Sequence, residues 1–414
     1  MEGWLSEKIL LVTFSDNADH QDTLFGIYEE LIRNANWDPY LVAIQEPKVP
    51  LQRSKHTWLV DCPKRPGITK KTFDFRTLFS LVRRIQSNHF DIIYFESLHT
   101  WNLPIMLTAG KAKTYQVIHE VIPHEGDRQV TMVDLMNRVV CRLADYIVLR
   151  NQTFISSLIE RYRIKADRVK YLELWRRYPN YTPPSHTKRA LFFGRINPYK
   201  GVNNLLEIVR LCPEICFDVV GRTEEHAQME IEQLAREANV YLNTEYVSDK
   251  AMKDAFTNCS WVIVPYNSAS QSGIIIDAYK YARPVIAFAV GAIPEQVDDG
   301  KSGYLIEPGN NKMFADKLQK AIKMPSEQYD QMSRYAYEFG CKKYAASGAE
   351  ERFEYCSVDR KDRSNGVLLG NFSDTFFSFM YSIWCISENV WTFLKNFVLC
   401  VIYFHGIACY ICRS

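Results

Sequence analysis

Short unbroken apolar runs alternate with segments of helical spacing along most of this chain, in two separate blocks. In the first block, residues 9–14 (ILLVTF), 40–44, 91–95 (DIIYF), 114–119 (TYQVIH) and 144–149 read as strands. Residues 23–33, 75–86 and 130–143 carry apolar positions one helical turn apart and read as helices. A strand that is apolar at every position has both faces buried, which implies a parallel sheet covered by helices on both sides. Residues 46–71, rich in Pro, Lys and Arg, read as a long connection. The alternation then breaks at residues 173–188 (ELWRRYPNYTPPSHTK), with three prolines and no periodicity, and restarts. Strands are expected at 190–193, 216–220, 240–242, 261–264 and 285–289. Helices are expected at 202–212, 224–238, 249–258, from Gly273 onward, and at 312–322 and 326–339. The expected fold class is α/β, with two doubly wound Rossmann-like domains facing a cleft and an apolar C-terminal helical tail. The expected division is residues 1–172, a linker at 173–188, a second domain at 189–345, a closing segment at 346–365 and a tail at 366–414.

Composition narrows the function classes. A net charge of +2 gives no global field for nucleic acid. The N-terminus lacks a basic segment followed by a long apolar run, so no signal peptide is expected. The 11 cysteines are scattered without a zinc-like double pair. Cys409 and Cys412 form a single C-x-x-C, and free thiols in a reducing cytoplasm are the simpler reading.

Ligands of open parallel sheets sit beyond the carboxyl ends of the strands, where Ser15, Glu96 and His119 fall. In the second block, Gly194-Arg195-Ile196-Asn197-Pro198-Tyr199-Lys200-Gly201 follows a strand. It is neither a Walker loop nor a G-x-G-x-x-G turn. It offers two cations, Arg195 and Lys200, at a strand-to-helix junction, and that suits a diphosphate as readily as it suits a solvated basic turn. Residues 265–308 hold the other candidate, a polar loop ending in Gln271-Ser272-Gly273-Ile274 where a helix begins. Free N–H groups at such a helix start can meet a phosphate or a polyhydroxylated ligand, or can simply be capped. Asp277 lies about one turn inside that helix, and Glu295 follows the turn at Gly291. His119 and His124 follow a strand, where a histidine is as often structural as catalytic.

Several of these segments together resemble the nucleotide-binding domain of family 4 retaining glycosyltransferases of the GT-B fold, of bacterial surface-polysaccharide type, over roughly residues 190–322. The family's Gly-Arg-x-x-x-x-Lys-Gly is matched by Gly194, Arg195, Lys200 and Gly201. Its later run is matched by Pro284, Val285, Ile286, Ala287, Gly291, Glu295, Val297, Gly300 and Gly303. The resemblance implies transfer of a sugar from a nucleotide-sugar donor to a glycan or lipid-linked acceptor, with retention and without a metal or other cofactor. It implies that Arg195 and Lys200 stabilise the departing diphosphate and that His119 orients the donor sugar. Gly194, Gln271, Ser272, Gly273, Ile274, Asp277 and Glu295 would line the donor site, with Asp277 on the ribose. The family places two glutamates with seven residues between them here. The second position is Asp277, but the first falls on Ala269, so Gln271, Ser272 or their N–H groups would hold the sugar hydroxyls instead.

Two other functions share these features. A non-catalytic nucleotide-sugar-binding subunit is motivated by Ala269, and a nucleotide-sugar 2-epimerase shares the fold. Residues 396–412 contain no Asp, Glu, Lys or Arg across 17 positions, the lower limit for a bilayer span. The tail therefore reads as a bilayer span, an interfacial helix at a membrane surface, a packed closing helix or an atypical terminus. The expected location is cytoplasmic, with peripheral attachment to the cytoplasmic membrane as the alternative.

Overall fold

The computed structural model describes residues 6–63, 69–122, 130–245 and 248–348. His124, the Cys409–Cys412 pair, the 366–414 tail and all but the start of the expected closing segment lie outside these residues. The first sheet has seven strands in the order β3-β2-β1-β4-β5-β6-β7. These are β1 (Glu7–Thr13), β2 (Trp37–Ile44), β3 (Thr57–Val60), β4 (Ile92–Phe95), β5 (Lys113–Val117), β6 (Tyr146–Leu149) and β7 (Val169–Tyr171). The second has six in the order β10-β9-β8-β11-β12-β13. They are β8 (Arg189–Phe193), β9 (Cys216–Val220), β10 (Val240–Asn243), β11 (Trp261–Val264), β12 (Val285–Phe288) and β13 (Gly303–Ile306). Every pairing in both sheets is parallel. Each sheet carries its own core. Leu10, Val12, Ile93 and Ile147 are buried in the first, and Leu191, Val262, Ile263 and Ile286 in the second.

Helices α1 (Ala18–Arg33), α2 (Phe75–Asn88), α3 (Asn102–Leu107), α4 (Val130–Leu143) and α5 (Ile155–Tyr162) belong to the first sheet. The second sheet is joined by α6 (Val202–Leu211), α7 (Gln228–Leu234), α8 (Asp249–Asn258), α9 (Gly273–Lys280), α10 (Ile293–Gln296), α11 (Asn311–Ile322) and α12 (Ser326–Tyr344). The alternation of short apolar runs and periodic segments thus yields the two doubly wound sheets it implies.

Three expectations need correction. The connection at 46–71 contains β3, an edge strand whose Trp58 is buried against Tyr40 and Phe90. One aromatic in a basic, proline-rich stretch gave no alternation to reveal it. The helix expected at 224–238 is a 3-10 turn followed by the shorter α7. The first helix starts at Ala18 rather than Thr23, because Asn17 caps it by accepting a hydrogen bond from Asp19 N.

Past α12 the chain returns to the first domain. Arg176 N donates to Tyr344 O at 2.8 Å, Ala346 N donates to Arg176 O at 3.0 Å, and the Ala346 methyl lies against Gly26 of α1. Helix α12 also fixes α9 at Gly340, where a Cβ would lie 2.5 Å from Tyr279 Cβ and 2.6 Å from the Tyr178 hydroxyl. Gly340→Ala should therefore destabilise the protein by about 1–3 kcal/mol through overpacking, although alanine is the better helix former by about 1 kcal/mol. Urea unfolding of the variant beside the wild type measures the sign.

Candidate functional site

A doubly wound sheet opens a crevice where its strand order reverses. In the first sheet that point lies between β1 and β4, and in the second between β8 and β11. Residues leaving those four strands, with neighbours from β5, β6, α10 and the linker, make up the site.

On the second domain, β8 ends at Gly194, at φ +109. A Cβ there would lie 2.8 Å from Lys200 Nζ and 3.5 Å from Ile274 Cδ1, so the turn after β8 and the start of α9 share one space. Asn197 caps the turn by accepting from Lys200 N at 3.1 Å. Gly201, at φ +71, presses on the loop after β11 so closely that a Cβ would sit 1.8 Å from Pro265 O. Asn204 ties the two segments further, donating to Pro265 O at 2.9 Å and to Asn267 Oδ1 at 2.8 Å. Lys200 Nζ lies 5.3 Å above the Tyr266 ring, and burial lowers its pKa. Arg195 is different. Its side chain is 63% exposed and lies 3.5 Å from Glu224.

Gln296 clamps the start of α9, since Ser272 N donates to its Oε1 at 2.7 Å and its Nε2 donates to Ser272 O at 3.1 Å. Gln271 lines a small inter-domain cavity of about 10 Å³ with Arg150, Asn151 and Glu295. Glu295 faces the first domain, where its carboxylate accepts from Gln152 N at 2.9 Å and from Thr153 N at 2.5 Å. It caps the turn that leads into α5. Asn151 crosses the same boundary, donating to Ser270 O at 2.9 Å.

On the first domain, Glu96 after β4 is fully buried, and its Oε2 accepts from Arg150 Nη2 and from the Tyr94 hydroxyl. Burial alone would raise the Glu96 pKa. Arg150, with help from His119, outweighs it and holds the carboxyl at about 2. His119 Nε2 lies 2.7 Å from Glu96 O, a carbonyl that can only accept, so Nε2 carries a proton. The His119 ring stacks on His20, with centroids 4.1 Å apart, and His20 Nδ1 meets Ser15 Oγ at 3.2 Å. Burial, and then His119, lower the His20 pKa to about 3.

The two domains meet at Arg176, a linker residue only 2% exposed. Its Nη2 donates to Asp19 Oδ1 at 2.8 Å, its Nη1 to Thr23 Oγ1 at 2.9 Å, and its Nε to Asp277 Oδ1 at 3.2 Å. Asp277 is buried, and burial lifts its pKa to about 6 against the pull of Arg176. Its Oδ2 accepts no hydrogen bond from a described residue. Ala269, which stands at the first glutamate position, is itself buried, with its carbonyl against Gly291 and Ala292.

The structure thus brings Gly194, Lys200 and Ile274 together at one mouth of the cleft and His119 together with Glu96 at the other. It places Arg195 on the outer side of its turn, and Glu295 in a contact between domains. Sequence reasoning missed Asp19, His20, Arg150 and Arg176. The first two follow an N-cap asparagine directly after the first strand. That signal could have found them.

Residues 179–339 match the family described as glycosyl transferases group 1. That match falls almost wholly within the second domain. A D-inositol 3-phosphate glycosyltransferase of Corynebacterium aurimucosum is 24% identical over 251 residues, 54% of this chain and 58% of that protein. The chain therefore spans little more than half the length of that relative. A GDP-mannose:glycolipid 4-beta-D-mannosyltransferase of Xanthomonas campestris is 32% identical over 119 residues, 27% of this chain and 34% of that one. Among solved structures, Anabaena HepE in complex with UDP and glucose superposes with a TM-score of 0.62 at 16% identity, covering 85% of this chain and 99% of that one. Sucrose-phosphate synthase from Thermosynechococcus elongatus gives 0.63 at 16% identity, with the same coverage. Both share the GT-B arrangement seen here on either side of the group 1 domain boundary. Among the described residues, no helix is long and apolar enough to cross a membrane.

The depressed His20 pKa has a consequence for stability. The unfolded chain binds a proton near pH 6.5, whereas the folded site resists it down to about 3, so this stabilisation is present above pH 6.5 and is lost as pH falls toward 3. His20→Gln should shrink the difference in urea midpoint between pH 7 and pH 5. An unchanged difference would show that His20 is not held neutral.

Proposed function

We propose that this protein transfers a glycosyl group from a nucleoside diphosphate sugar to a hydroxyl of a glycan or lipid-linked acceptor, with retention of configuration, in cell-envelope polysaccharide synthesis. The observation that carries the reading is the joint placement of Lys200, Gly194 and the α9 start at the switch point of the group 1 domain, opposite His119. In the proposed step the acceptor oxygen bonds to the anomeric carbon as the bond from that carbon to the β-phosphate oxygen breaks. The electron pair stays on the phosphate, and the acceptor proton passes to that oxygen or to solvent.

Lys200 meets the diphosphate, and Arg195, on the longer side chain at the rim, adds charge once a ligand is present. The N–H groups of Gly273 and Ile274 point at the same phosphates, and Gly194 leaves room for them. The open oxygen of Asp277 faces the ribose hydroxyls. His119 offers the sugar an imidazole of fixed orientation. Gln271 and Glu295 serve this reading by holding the loops that frame the site. No metal enters the scheme. The work is placed on the cytoplasmic side, where nucleotide sugars are available.

A second reading, a nucleotide-sugar-binding subunit without catalysis, is favoured by the burial of Ala269. Lys200→Ala separates the two. Loss of a charge-stabilising group typically costs about 3–4 kcal/mol, or roughly a hundred- to a thousandfold in kcat. Transfer, or slow donor hydrolysis, by the wild type and its collapse in a folded Lys200→Ala variant support the enzyme. Equal turnover in both removes the diphosphate assignment.

A further inference from the structure

We infer that Asp19, from the N-terminal domain, is the carboxylate that receives the donor sugar's hydroxyls. The inference rests on the donor reading above and names the group that grips the sugar end. Asp19 stands in the first turn of α1, and its side chain is 58% exposed although walls of both domains surround it. One oxygen, Oδ1, is fixed by Arg176 at 2.8 Å. The other, Oδ2, accepts nothing from a described residue. It lies 3.8 Å from the position of a Cβ on Gly273, the first residue of α9. Lys200, His20 and His119 are all close enough to act on its charge. An oriented, half-engaged carboxylate therefore sits between the cationic turn and the histidine.

The chemistry of that position excludes most partners. A second anion would be repelled, so Oδ2 does not face the diphosphate directly. It is also a poor general base. Burial would raise the Asp19 pKa, but Arg176, followed by His20 and Lys200, brings it below the ordinary value, which leaves an ionised and weakly basic acceptor. Such a carboxylate accepts strong hydrogen bonds from neutral hydroxyls, and the part of a nucleotide sugar next to the diphosphate is a polyol.

The competing groups, the Gln271 side chain and the partnerless Ser272 hydroxyl apart, are unavailable. Ala269 has no polar side-chain atom and is buried. The Ser272 N–H and carbonyl are both held by Gln296, and Glu295 is spent on the turn before α5.

Calorimetric titration of the full chain with UDP and UDP-glucose, and with GDP and GDP-mannose, tests this. Asp19→Asn keeps an acceptor toward Arg176 while removing the free one. It and Asp19→Ala should bind the nucleotide sugar at least tenfold more weakly than the wild type, with affinity for the matching nucleoside diphosphate unchanged or increased. Thermal unfolding confirms that each variant is folded. Equal losses for sugar nucleotide and diphosphate would reduce Asp19 to a support for Arg176 and overturn the inference, as would no loss at all. Binding of none of the four probes by the wild type overturns the donor reading and this inference with it.

Discussion

A guanidinium with almost no access to water, placed in the segment that joins the two sheets, fixes much else in this molecule. Arg176 cannot be buried alone, since an unpaired interior charge costs several kcal/mol. Its neutralisation needs acids from both sides. Asp19 comes from α1 at 2.8 Å and Asp277 from α9 at 3.2 Å, with Asp22 at 3.8 Å. A buried ion pair of this kind adds little net stability compared with apolar packing, yet breaking it is expensive. Its effect is therefore to specify geometry. It holds the first turn of α1 and the first turns of α9 at one distance, and those two helix starts are the opposing edges of the cleft.

The cleft that results is electrically mixed rather than simply basic. Lys200 is the cation that faces inward, while Arg176 is already matched by acids and adds little field. The opposing wall carries two imidazoles, one of them held neutral by burial and by its neighbour. A cleft with an inward cation, stacked imidazole rings and an oriented carboxylate suits a ligand that is anionic at one end and rich in hydroxyls at the other. A purely anionic ligand would meet Asp19, and a purely neutral one would leave Lys200 without a partner.

The two parallel sheets, most of their strands, and the turn carrying Lys200 were legible because each rests on local pattern. Continuous burial makes a strand apolar at every position, and a glycine forced to φ +71 against Pro265 O leaves its mark in the sequence at Gly201. Arg176 was not legible. It stands in a linker of mixed aromatic and charged residues that reads as solvent-facing, and its burial depends on partners more than 100 positions away in either direction. Edge strand β3 escaped for the opposite reason, since a four-residue strand at a sheet edge needs no repeating pattern. Glu295 shows the limit of motif matching. Its position in the sequence run is right, but its carboxylate bonds the backbone at 152–153.

Contact with the sugar from the N-terminal domain would change how recognition is coupled to shape. Where both ends of a donor are held by one domain, binding is complete before the domains come together. In this molecule the groups proposed to meet the phosphates stand on the second domain and Asp19 on the first. A nucleotide sugar would then be fully engaged only with the cleft formed, whereas a nucleoside diphosphate would need the second domain alone. Arg176 lies at the joint between these two events, since it binds Asp19 through Nη2 and Asp277 through Nε. Any rotation of one domain against the other must stretch one of those bonds. The arginine therefore favours the arrangement in which the Asp19 carboxylate and the start of α9 are both in place.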